Sequence, residues 1–77
     1  MKLTLDPQYN IAYLQLRPKR GKVRTVQVSE ELNVDLAADG SIYGIELLNA
    51  NEQLGREKAL TIENRATKTR RKMRLAG

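Results

Sequence analysis

Six cationic side chains, Arg65, Lys68, Arg70, Arg71, Lys72 and Arg74, fall within residues 64–77, "NRATKTRRKMRLAG", a stretch without a single acid. Each could neutralise one phosphate, so the chemistry on offer is the binding of a polyanion such as nucleic acid. At helical spacing Arg65, Lys68 and Lys72 share one side, while Arg70, Arg71 and Arg74 cover another. An acidic protein would satisfy the same charges. So would bulk water, if the segment only keeps a small protein in solution. An anionic membrane surface requires an apolar face that Met73 and Leu75 hardly provide, so no membrane partner is expected.

The carboxylates Asp6, Asp35, Asp39 and Glu46 are the other group whose type could do chemistry. Paired carboxylates can hydrolyse glycosides or hold Mg²⁺. Asp35 and Glu46 would have to converge in a pocket to act so. The competing reading makes Asp6 and Asp39 turn residues, and sets Asp35 and Glu46 across a hairpin from each other or against a basic partner. Ser29 and Ser41 have no His beside them and no nucleophile elbow. The five Gly are scattered, which excludes a phosphate-cradling loop. Tyr9, Tyr13 and Tyr43 could stack bases, with Arg17, Lys19, Arg20 and Arg24 as flanking cations, or could supply core volume.

Composition narrows these options. The chain has 77 residues, no Cys and no His. Cysteine-ligated metals, disulfides and the usual acid–base catalyst near neutral pH are therefore absent. No catalytic residue, metal or cofactor is expected, and an enzyme is disfavoured. A domain this short buries only about 60% of the surface that its unfolded chain exposes. Association into a homodimer is the remaining remedy. The opening "MKLTLDPQYN" has no long apolar run, so a signal peptide is not expected and the cytoplasm is the default location. Charge is divided unevenly. Residues 1–55 carry six Lys/Arg and seven acids, a net −1, whereas residues 56–77 carry eight Lys/Arg and two acids, a net +6.

The elements that must position these side chains read as follows. "KLTL" (2–5) alternates as a strand does, "DPQYN" (6–10) is a turn, and "IAYLQL" (11–16) returns with Ala12, Leu14 and Leu16 on one face. "RPKRGK" (17–22) is a basic loop. "VRTVQVS" (23–29) is a β-branched strand with Val26 and Val28 inward. "LNVDLA" (32–37) puts Leu32, Val34 and Leu36 inward. Asp39 and Gly40 signal a two-residue hairpin turn before "IYGIELL" (42–48). Gly44 there marks a close approach or a bulge, and apolar residues on both faces suggest a central, doubly covered strand. Leu14, Val34 and Ile45 are expected to be buried. "NANE" (49–52) fits a capping box, so a helix should start near Ala50, with Lys58 in step and Gly55 weakening it. Ala59, Ile62, Ala66 and Met73 continue a thin helical stripe.

The expected fold is thus α+β: a small antiparallel sheet of about five strands built from hairpins, followed by a short helix and a basic C-terminal tail. Residues 1–55 form the β-rich domain with the start of the helix. Residues 56–77 form a basic helix or tail, disordered until it meets a partner.

The motifs Asp6-Pro7, Ala12-Tyr13-Leu14, the valine-rich 23–28, Val34-Asp35, Asp39-Gly40 and Gly44-Ile45-Glu46-Leu47-Leu48 resemble a small prokaryotic and phage family known only as domain of unknown function twenty-two eighty-three. The resemblance covers residues 1–54. Leu5 and Asn10 stand where its members have Tyr and a second Asp. It implies a fold and no activity. Some members resemble companions of small toxin-like proteins, which implies an antitoxin-like binding role as an alternative. The function expected is a non-enzymatic binding module whose basic segment engages an anionic partner, nucleic acid or protein. The alternative from another class is a carboxylate-based enzyme or metal-binding module.

Overall fold

Alternating residues in the first two thirds of the chain form five strands: β1 (Lys2–Asp6), β2 (Ile11–Gln15), β3 (Val23–Ser29), β4 (Leu32–Ala37) and β5 (Ile42–Leu48). They assemble into one antiparallel sheet in the order β1-β2-β5-β4-β3, with β5 central. The computed structural model describes residues 1–18, 21–55 and 59–75. Lys19 and Arg20 of the basic loop, and Lys58 of the helical stripe, lie outside the described residues.

Local chemistry sets the turns. Between β1 and β2, the Asp6 carboxylate accepts the backbone N–H of Gln8 at 3.0 Å and of Tyr9 at 3.3 Å. Asn10 then takes a left-handed conformation, φ 56°, which an Asn tolerates better than most residues. Between β4 and β5 the turn departs from expectation. Gly40 alone of the Asp39–Gly40 pair has a positive φ, 86°. Its N–H bonds to the Ala37 carbonyl at 2.9 Å, and Ala37 N–H bonds to the Ser41 carbonyl at 2.8 Å. The Asp39 carboxylate is spent on the Ser41 N–H at 3.0 Å, a local bond that holds the longer turn.

Register divides the sheet into two faces, since residues directly opposite point the same way. Leu3, Leu14, Ile45, Val34 and Val26 form one apolar row across all five strands. Thr4, Tyr13, Glu46, Asn33 and Gln27 form the neighbouring row on the other face. Two bulges adjust the pattern. One omits Tyr43 from the β4–β5 ladder, so that Ile42 falls opposite Leu36. The apolar residues read on both faces of β5 thus include one that the bulge returns to the Leu36 row, and among the described residues no second layer covers the strand. The other bulge, at Val28 on β3, throws that side chain outward, where it is 58% exposed rather than inward.

The sheet lacks a thick core. Ala12 and Ala50 are the hydrophobic residues buried among those described, and Leu14, Val34 and Ile45 are only half-buried. The expected helix is a single turn, α1 (Ala50–Gln53), packed against β2. Its N-cap residue Asn49 is left-handed, φ 53°, and makes no side-chain cap bond. The capping box does not form: the left-handed backbone of Asn49 is not the extended one that a side-chain cap needs, and its Oδ1 accepts from Asn10 Nδ2 at 3.2 Å. Gly55, φ 76°, follows the helix at once.

The largest correction concerns the C-terminal segment. Read above as a helix or disordered tail, it forms an antiparallel hairpin, β6 (Ala59–Asn64) and β7 (Thr69–Arg74). The period-two pattern Leu60, Ile62 with Thr61 and Glu63 between them prevails over the sparse helical stripe. Overall the chain is mostly antiparallel sheet, five strands and two, with one short helix.

Candidate functional site

The β6–β7 hairpin carries the six cations. Its turn repeats the first one in the chain. The Asn64 side-chain oxygen accepts the N–H of Ala66 at 3.0 Å and of Thr67 at 3.3 Å. Lys68 is left-handed, φ 56°, in the place of Asn10. An Asn or Asp, three residues, a left-handed residue and a return strand is the shared plan of 6–11 and 64–69. That spacing was the signal available in the sequence.

Strand period regroups the charges. Arg70, Lys72 and Arg74 lie opposite Glu63, Thr61 and Ala59, and all six share one face. Alternate residues on a strand are about 7 Å apart, so the three cations form an evenly spaced line. Arg71 lies opposite Ile62 on the other face, with Leu60 and Met73. Arg65 and Lys68 occupy the turn, beside Arg70. The two helical groupings expected above are therefore replaced by a basic face, a basic tip and a single Arg71 on an apolar face. Arg70 donates to Glu63 at 3.3 Å with both side chains more than half exposed. A pair so exposed stabilises the hairpin by at most about 1 kcal/mol. Leu60, Ile62 and Met73 are 39%, 47% and 40% exposed. The hairpin is thus amphipathic, and neither of its faces is sealed.

The carboxylates of the main sheet are occupied by neutral donors. Asp35 accepts from Tyr13 Oη and from Thr25 Oγ1, each at 2.6 Å. Glu46 accepts from Asn33 Nδ2 at 2.9 Å. Tyr13 reaches Asp35 by lying over Gly44, the strand residue that offers no Cβ to obstruct it. Burial, and then the hydrogen bond and charge of Asp35, push the Tyr13 phenol above its ordinary range. At the β4–β5 turn, bonds from the Ser41 hydroxyl and N–H, with Arg17 nearby, hold the Asp39 carboxyl below its usual value. Arg17 Nη1 donates to Ser41 Oγ at 2.9 Å. Among the described residues no group of three or more His, Cys, Asp or Glu is placed to hold a metal. The tyrosines do not line up as a stacking platform: Tyr9 is exposed in the first turn, Tyr43 is the bulged residue and Tyr13 is committed to Asp35. Among the described residues no helix is long and apolar enough to cross a membrane.

A family model described as a protein of unknown function (DUF2283) matches residues 2–51, and the chain belongs to that family. The match ends before the basic hairpin. Comparison with curated proteins and with solved structures found no match.

Proposed function

We propose, for this member of a family without an assigned activity, that it is a non-enzymatic binding module and that its basic hairpin engages nucleic acid. The observation that carries this reading is the line Arg70, Lys72 and Arg74 on one face of a two-stranded ribbon, with Arg65 and Lys68 at its tip. A two-stranded ribbon fits the major groove of duplex DNA, and evenly spaced cations contact phosphates whatever the sequence. Over residues 1–55 six cations, five of them between Arg17 and Arg24, are offset by seven acids, a net charge of −1. Binding concentrated in the hairpin is the expected result.

The test is binding of the full chain to duplex and single-stranded nucleic acid over a salt series. With five phosphates neutralised, the log–log slope for duplex is expected at roughly −4. Replacing Arg70, Lys72 and Arg74 together by Ala should make the slope shallower by about 3. An absence of binding at low salt sinks the proposal.

One observation favours a second reading. Leu60, Ile62 and Met73 form an apolar face that a phosphate backbone leaves uncovered. An acidic protein partner, antitoxin-like in the sense that the family resemblance implies, would use both faces of the hairpin. Under that reading the triple Ala variant and Ile62→Lys would each weaken partner binding. Under the nucleic-acid reading Ile62→Lys leaves affinity unchanged or raises it.

A further inference from the structure

We infer that the apolar face of the five-stranded sheet is the interface of a homodimer, in which two copies pack face to face as a β-sandwich. This inference stands apart from the hairpin reading, because it uses only residues of the main sheet.

A sheet with one apolar face must bury it against another element, and stable domains use at least two layers. Among the described residues one layer carries this face. The row Leu3, Leu14, Ile45, Val34 and Val26 spans the sheet from edge to edge, yet none of these side chains is fully buried. The α1 turn is four residues long and packs at β2, so it cannot cover a row that crosses five strands. The hairpin does not serve either, since Leu60, Ile62 and Met73 are themselves exposed.

Area gives the same answer in magnitude. A folded monomer of 8.7 kDa should expose roughly 4,700 Å². This chain exposes 6448 Å². The excess of roughly 1,700 Å² is shared between the open hairpin and the uncovered sheet face, and it leaves room for the roughly 800 Å² that each partner contributes to a standard interface. The radius of gyration, 13.9 Å, likewise exceeds the roughly 11.5 Å of a compact chain of this length.

Charge permits the occupant to be a second copy. The net +5 of the chain would resist self-association if it lay on the interface, but +6 of it belongs to residues 56–77. The apolar row itself contains no ionisable group. Arg24 shares this face, opposite Leu36 on the edge strand β3, where it is exposed. Two such faces meet along the apolar row with Arg24 at the rim, at the spacing of about 10 Å common to packed sheets. A chain with so little core of its own also needs a partner that is always present when it folds, and an identical copy meets that condition.

The opposite face is a poor alternative. There Asp35 and Glu46 would have to be desolvated against their own images, a like-charge contact that disfavours docking.

The experiment measures the mass of the full chain in solution and its melting temperature over a hundred-fold range of protomer concentration. A species of twice 8.7 kDa, with a melting temperature that rises with concentration, is expected. A folded monomer at every concentration overturns the proposal. The chain has no Cys, so single cysteines report on the face used. Ile45→Cys should be joined across the dimer by a short bis-maleimide, and its neighbour Glu46→Cys, on the other face, should not. Cross-linking of Glu46→Cys without Ile45→Cys overturns the proposal, because it places the interface on the polar side. Val28→Pro tests the remaining arrangement: loss of the dimer on blocking the β3 edge would mean edge-to-edge pairing, while a retained dimer supports the packed faces.

Discussion

At the scale of single residues, the polar face is organised by Tyr13. Its ring crosses the bare backbone of Gly44, and its hydroxyl closes on Asp35, which also holds Thr25. A Cβ at position 44 would collide with the Tyr13 ring and hydroxyl. Gly44→Ala should therefore lower stability by about 1–3 kcal/mol, read as a reduced denaturation midpoint. An unchanged midpoint would mean that the ring moves aside freely. The same contact makes an alkaline prediction. Folding raises the Tyr13 pKa, chiefly through burial and then through Asp35. The folded chain keeps its proton above about pH 10, where the unfolded chain loses it. This contribution is whole below about pH 10 and is lost as pH rises toward and through the folded value. Tyr13→Phe should flatten that alkaline decline in urea midpoints, while costing about 1–2 kcal/mol at neutral pH for the missing bond. In the sequence Gly44 signalled a close approach or a bulge. The structure contains both, the approach at Gly44 and the bulge at Tyr43. The partner was not legible, because nothing in a one-dimensional pattern pairs Tyr13 on β2 with a glycine on β5, beyond two intervening strands.

At the scale of elements, the chain makes one turn design serve two hairpins. Asp6 and Asn64 each hold two N–H groups three residues or fewer ahead, and Asn10 and Lys68 each turn left-handed before the return strand. Asn64→Ala should loosen β6–β7 alone. Amide exchange should quicken at Ala66 and Thr67 while the protection of β2, β4 and β5 is unchanged; equal loss in both sheets would show that the hairpin is integral to the main fold. The five strands of the sheet were readable, most of them to the residue, since period-two alternation is strong from Lys2 to Leu48. The last two were not. Ala59, Ile62, Ala66 and Met73 happen to fit a helical period, and the cations of β7 mask its alternation. With Met73 the one apolar residue of β7, only the turn could have identified the hairpin. The helix was overread for a related reason. Asn49 and Glu52 satisfy a capping pattern, but Asn49 is left-handed and its side chain bonds to Asn10.

At the scale of the whole molecule, the sheet joins two local units. One is the β1–β2 hairpin, and the other is the meander β3–β4–β5. They meet along β2 and β5, where Ile11 faces Leu48 and Gln15 faces Gly44. Asn10 fastens the end of this seam: its side chain accepts the Asn51 N–H at 2.8 Å and donates to Asn51 Oδ1 at 2.7 Å, across 41 residues of sequence. The consequence is kinetic. Hairpins close within microseconds, whereas a pairing between distant segments must first overcome the entropy of a long loop. The seam, and not either hairpin, should set the folding rate. A weakened seam contact such as Leu14, which pairs with Ile45, should slow folding, whereas a weakened turn at Gly40 should chiefly hasten unfolding. The asparagine clasp closes behind the seam, so Asn10→Ala should leave the folding arm of the chevron in place and steepen the loss of the native state. In time as in space, the protein is two short stitches drawn together by one long one.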